Sequence, residues 1–187
     1  MARSTLSFIV ASIAFALIVV AASPEAEARP RPAGGGGGSD FRANKEFGLG
    51  FMLGNPTAFA GKYYLSDDTA LDFGVGYSRH YGRSRDYAGL HLHASFLWHP
   101  VVLARPDPFW MPLYFGVGGR FLDRDYFYDR RYRSRLGVRV PGGIMLDFNN
   151  VPIDIFGELA FTFDFVSPGH RRFFWLDGAV GLRYYFQ

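Results

Sequence analysis

Residues 177–187 read DGAVGLRYYFQ, and the period of this stretch decides the fold. Taken in steps of two, Gly178, Val180, Leu182, Tyr184 and Phe186 share one face, and Asp177, Ala179, Gly181, Arg183 and Tyr185 share the other. One face is greasy; the other is small or charged. Chain ends are usually polar and frayed unless something ties them down, so an aromatic terminus implies a last strand built into a sheet.

The same alternation recurs upstream. Ile153, Ile155, Leu159, Phe161, Phe163 and Phe165 oppose Asp154, Phe156, Glu158, Ala160, Thr162 and Asp164. Val138, Val140, Ile144, Leu146 and Phe148 oppose Arg139, Gly143, Met145 and Asp147; Leu113, Phe115, Val117 and Phe121 oppose Tyr114, Gly116, Gly118 and Arg120. Leu90, Leu92, Ala94, Phe96 and Trp98 oppose His91, His93, Ser95 and His99. Leu71, Phe73, Val75 and Tyr77 alternate with Asp72 and Gly74; Phe59, Tyr63 and Leu65 with Lys62; Phe47, Leu49, Phe51 and Leu53 with Gly48 and Gly50. No stripe of period 3.6 reaches helical length, and 23 Gly, 20 Phe, 11 Tyr and 3 Trp favour strands. Eight segments, an even number, predict an all-β fold: an eight-stranded antiparallel up-and-down transmembrane β-barrel over 45–187.

Orientation follows from the chemistry of the two faces. A nearly uninterrupted Phe, Leu, Ile and Val face would aggregate in water, whereas a bilayer requires it, because a lipid-facing charge costs about 2–4 kcal/mol at mid-depth. The other face mixes glycine with both signs of charge, which suits a narrow interior. Lys62, Asp72, Arg120, Arg139, Asp147, Glu158 and Arg183 are therefore expected to form a charge network in the lumen, joined by Asp154, Asp164 and Asp177. Aromatic residues at segment ends, Trp98, Phe148, Tyr184 and Phe186 on one rim and Phe59, Tyr77, Phe121 and Phe165 on the other, match interface girdles.

The N-terminus has the anatomy of an export signal: Arg3 at the tip, an apolar stretch from Leu6 to Ala22, and Ala26-Glu27-Ala28 before Arg29. Residues 1–28 are expected to be a cleavable signal peptide, with an uncleaved anchor as the other reading. Residues 29–44, opening RPRPAGGGGG, read as a Pro/Gly-rich disordered leader. Cleavage would remove one arginine and two glutamates and raise the net charge from +3 to +4. The absence of cysteine excludes disulfides, a lipidated cysteine and thiol chemistry.

With both termini periplasmic, the connections at "GNPT", 79–88, 122–135 and 167–173 face outward. The even connections, "SDDT", 100–112 and "NNVP", face the periplasm, and 100–112 is longer than such turns usually are. The outward loops are basic, carrying Arg79, Arg83, Arg85, Arg130, Arg131, Arg133, Arg171 and Arg172. Such arginines would dock on anionic outer-membrane lipid, lipopolysaccharide included, and could also receive an extracellular protein or polyanion. Tyr126, Phe127, Tyr128 and Tyr132 among them are a nucleic-acid pattern that export argues against.

The stretches GLGFMLGNPTAFAGKYYLSDDTALDFGVGYS, LHLHASFLWH, PLYFGVGGR, GVRVPGGIML, VPIDIFGELA and GAVGLRYYF together resemble a family of small bacterial outer-membrane β-barrels. Its members occur in spirochaetes and other Gram-negative lineages. The resemblance covers about 46–186 and implies an architecture similar to OmpX- and OmpA-type eight-stranded barrels. It implies no enzymatic motif. It does imply an outer-membrane location and a carboxy-terminal signal for the barrel-assembly machinery, here Tyr184 and Phe186, with Gln187 following where the aromatic normally ends the chain.

His93-Ala94-Ser95 resembles the His/Ser pair of outer-membrane lipid A deacylases, in which histidine activates serine, with Glu158 as a third member. The register turns the pair inward, away from lipid. His91 and His93 lack a third metal ligand at diagnostic spacing, and no phosphate-binding glycine motif opens a helix, so no metal or cofactor is expected. Eight strands enclose about enough room for side chains, which argues against a wide pore. The reading is a monomeric envelope barrel, structural or adhesive through its loops, with a lipid-modifying enzyme or a narrow channel as alternatives.

Overall fold

In the computed structural model the described residues are 39–80, 87–124, 134–166 and 174–186. They form eight strands: β1 (Phe47–Gly54), β2 (Thr57–Tyr64), β3 (Thr69–His80), β4 (Tyr87–Ala104), β5 (Phe109–Arg124), β6 (Arg135–Phe148), β7 (Ile153–Val166) and β8 (Phe174–Phe186). Each strand pairs antiparallel with its chain neighbour, and β8 pairs with β1 to close the barrel. Closure runs from Phe47 opposite Phe186 to Gly54 opposite Ala179. The aromatic end of the chain is thus the seam, and no strand is left as an edge.

The alternation puts side chains where the two-residue period requires. Lys62, Asp72, Arg120, Arg139 and Arg183 are each at most 5 % exposed, whereas Val75, Val117, Leu159 and Val180 are between 47 % and 61 % exposed on the outer wall. Glycine makes the interior fit. Gly48, beside Tyr185, leaves room for the ring: a Cβ there would lie 2.8 Å from Tyr185 Cε1. Gly54 takes φ +141° at the β1–β2 turn, a conformation that favours glycine, and Thr57 Oγ1 donates back to the Gly54 carbonyl at 3.0 Å.

Two sequence expectations change. The connection read as 100–112 is only 105–108, because β4 continues to Ala104 and β5 begins at Phe109. The alternation is broken there by register shifts between Trp98 and Val101 and between Val102 and Ala104, with Pro112 seated opposite Val102. Bulges add a residue without ending a strand, so a proline and a lost period read as a loop while the ladder continues. Trp98 accordingly has six strand residues beyond it.

Residues 39–44 depart from a disordered leader. Phe41 is fully buried, and Ser39, Asn44 and Lys45 are each less than 8 % exposed. Composition predicts disorder because polar, glycine-rich chain cannot bury enough apolar surface, but this stretch borrows a cavity already built by the barrel.

Candidate functional site

The lumen is where the titratable side chains converge. Six cations (Lys45, Lys62, Arg120, Arg135, Arg139, Arg183) and six carboxylates (Asp72, Asp147, Asp154, Glu158, Asp164, Asp177) are buried among the described residues. Equal numbers matter, because an uncompensated buried charge is far more costly than a paired one. All seven residues expected in the lumen network are present there.

Strand position sorts them along the axis. Near the end away from the chain termini, Arg120 Nη2 donates to Asp164 at 2.8 Å and its Nη1 to Asp177 at 2.9 Å. Arg135 joins Asp164 at 3.2 Å, and Trp175 Nε1 donates to the same carboxylate at 3.1 Å. Asp177 also accepts from Asn55 Nδ2 at 2.8 Å and from Thr162 Oγ1 at 3.2 Å. Further along, Arg139 pairs with Glu158, which accepts from Tyr114 Oη at 3.3 Å. Toward the termini, Arg183 reaches Asp72 at 2.9 Å and Asp154 at 3.1 Å, lies 4.0 Å over the Phe156 ring, and leaves Tyr185 Oη to donate to Asp154 at 2.5 Å.

Lys62 is built differently. Its Nζ lies 2.8 Å from His99 Nε2 and 3.3 Å from the Met145 sulfur, over the rings of Tyr64 at 4.7 Å and Tyr114 at 5.4 Å. Aromatic faces and a thioether therefore surround this ammonium, and its cross-strand partner Asp72 bonds to Arg183 instead.

His93 and Ser95 face inward, 5 % and 2 % exposed. His93 Nε2 lies 3.4 Å from Asp72 Oδ2, and neither imidazole nitrogen of His93 hydrogen-bonds to Ser95 Oγ. Glu158, the third member suggested by the deacylase likeness, is held by Arg139 and Tyr114. The sequence pair is thus not joined as nucleophile and base. His91 packs edge-on against His93 with ring centroids 5.2 Å apart. Among the described residues, no group of three or more His, Asp or Glu is arranged to hold a metal ion.

Of the basic loop residues, Arg79 is exposed at the end of β3, where its backbone N–H donates to Asn55 Oδ1 at 3.1 Å. Arg83, Arg85, Arg130, Arg131, Arg133, Arg171 and Arg172 lie outside the described residues, as do residues 1–28, expected to be a signal, and residues 29–38. Arg135, counted from sequence with the loop 122–135, belongs to β6 and is 2 % exposed. Tyr184 sits between Leu49 and Ile153 across the seam, and the Phe186 ring lies edge-on to it with centroids 5.3 Å apart.

Sequence reasoning missed Lys45, which pairs with Asp147 and donates to the carbonyls of Phe148 at 2.8 Å and Ile153 at 3.0 Å. A lysine before the first alternating residue carries no periodic signal, and only the composition change at Ser39-Asp40 marks the segment. On the outer wall, away from all these charges except the edge of Glu158, a trough of about 550 Å³ lies between Leu53, Leu113, Ile144, Leu159 and Val180 over Gly142, Gly157 and Gly178. Compared with family models, curated proteins and solved structures, the chain matches none.

Proposed function

We propose that this chain is a small outer-membrane β-barrel of a Gram-negative bacterium, exported by residues 1–28, whose role is structural or adhesive through its basic outer loops. The observation that carries the reading is the division of the barrel wall. An apolar band faces outward on every strand, and six cations with six carboxylates are buried inward. A water-soluble barrel of this size would reverse that arrangement. A lumen filled by its own ion pairs supports a closed monomeric scaffold better than a wide channel. The basic connections read from the sequence, with Arg79 exposed at the end of β3, would suit phosphorylated lipid, such as lipopolysaccharide, and an external protein or polyanion would meet the same loops. The terminal Tyr184 and Phe186 would be read by the barrel-assembly machinery.

The test is to express the whole chain in a Gram-negative host and follow the mature product. The expected result is extraction only by detergent from the outer-membrane fraction, loss of residues 1–28, and a compact gel band that shifts on boiling. Recovery as a freely soluble periplasmic protein would end the proposal. Lipid A profiles from cells carrying Ser95→Ala should equal those of the intact chain; a changed acylation pattern would favour a lipid-modifying enzyme instead.

A further inference from the structure

We propose that residues 39–45 are an intramolecular plug, a strap docked into the terminal mouth of an already complete barrel and able to leave it. The strap takes no part in the ladder. β1 begins at Phe47 and completes eight pairings with β8. The strap's backbone meets the barrel outside the ladder, through Asp40 N–H to the Pro100 carbonyl at 3.4 Å, Ala43 N–H to the Asp67 carbonyl at 2.8 Å and Arg105 Nη2 donating to the Asp40 carbonyl at 3.2 Å.

Its side chains, by contrast, go deep. Phe41 is fully buried, with its ring centroid 5.1 Å from that of His99, 6.0 Å from Tyr64 and 6.5 Å from Trp110. Lys45 pairs with Asp147 and caps two carbonyls that end β6 and begin β7. At the rim, Arg105 lies 4.9 Å over Trp110 and reaches Asp40 at 3.6 Å, clamping the strap from outside. A segment held by side-chain contacts and ion pairs such as Lys45–Asp147, Arg42–Asp67 and Arg105–Asp40, beside a ladder that is complete without it, opens at lower free energy than the sheet around it. What the strap covers is the Lys62 layer, since Tyr64 touches both Phe41 above and the Met145 sulfur, 3.8 Å from its hydroxyl, below.

The absence of cysteine makes the test clean, because one introduced thiol is unique. Met145→Cys places it in that layer, where Met145 is 1 % exposed, and the full chain folded in detergent is treated with a water-soluble methanethiosulfonate. The intact strap is expected to make labelling slow. Adding Phe41→Ser with Lys45→Ser is expected to speed it at least about tenfold while the heat-shifted compact band persists. An unchanged rate in a compact barrel overturns the plug. Should the double variant not fold, Phe41→Ser alone is read the same way, with the same two outcomes. Failure of both variants to reach the compact form also overturns it, since the strap would then be part of the barrel and not a stopper in it. None of these outcomes depends on where the protein resides in the cell, so the plug and the envelope reading fail separately.

Discussion

At the end of the lumen away from the termini, Arg120, Arg135, Asp164 and Asp177 hold one another from β5, β6, β7 and β8, with Asn55, Thr162 and Trp175 filling the remaining acceptor sites. At the terminal end, a segment from outside the sheet lies across the mouth, and the cation beneath it, Lys62, sits among rings and a sulfur. One mouth is closed by groups that the ladder itself brings together, the other by a guest. The first kind of closure is redundant, because each carboxylate has more than one donor. The second depends on contacts made by a segment that lies outside the sheet.

Toward the terminal end, Arg183 is the cation shared by two carboxylates, and the largest effect is expected there. Arg183→Leu would leave Asp72 and Asp154 buried without their shared cation. Breaking a buried pair from one side costs about 3–5 kcal/mol, to be read as a lowered urea midpoint for the heat-shifted band. Arg120→Leu should cost measurably less, because Arg135 and Trp175 still serve Asp164, and Asn55 and Thr162 still serve Asp177. Equal losses for the two variants would break the contrast between carboxylates that share one arginine and a cluster that holds two.

Phe41→Ala sharpens the comparison from the other side. Truncating a buried phenylalanine in an integral core costs about 3–5 kcal/mol, whereas loss of a docked anchor should lower global stability by less, since the barrel can persist with its strap released. Denaturant unfolding of the whole barrel measures the difference, and a full core-sized penalty would merge the two regions into one.

The smallest effects concern glycine on the two faces of the wall. Gly48→Ala would push Tyr185 off the space it occupies and disturb its bond to Asp154, for a loss of about 1–3 kcal/mol. Gly157→Ala, on the outer wall with its nearest neighbour 4.0 Å away at Val180, should be neutral or stabilise by up to about 1 kcal/mol. Equal penalties would mean that outer glycines are constrained as tightly as inner ones.

Period-two alternation by itself determined the number of strands, which face of each looks inward, and the presence of Lys62, Asp72, Arg120, Arg139, Asp147, Glu158 and Arg183 inside, because a pleated strand leaves no other way to separate greasy from ionic side chains. It did not determine partners. Asp72 meets Arg183 from a strand 111 residues away, although Lys62 is its cross-strand neighbour, since long side chains cross a narrow lumen as readily as they follow the ladder. Nor could it see the continuation of β4, where two register shifts erase the period without ending the strand. The strap was invisible for the plainest reason: Phe41 belongs to no alternating run, and its burial exists only once eight strands have closed around the space it fills.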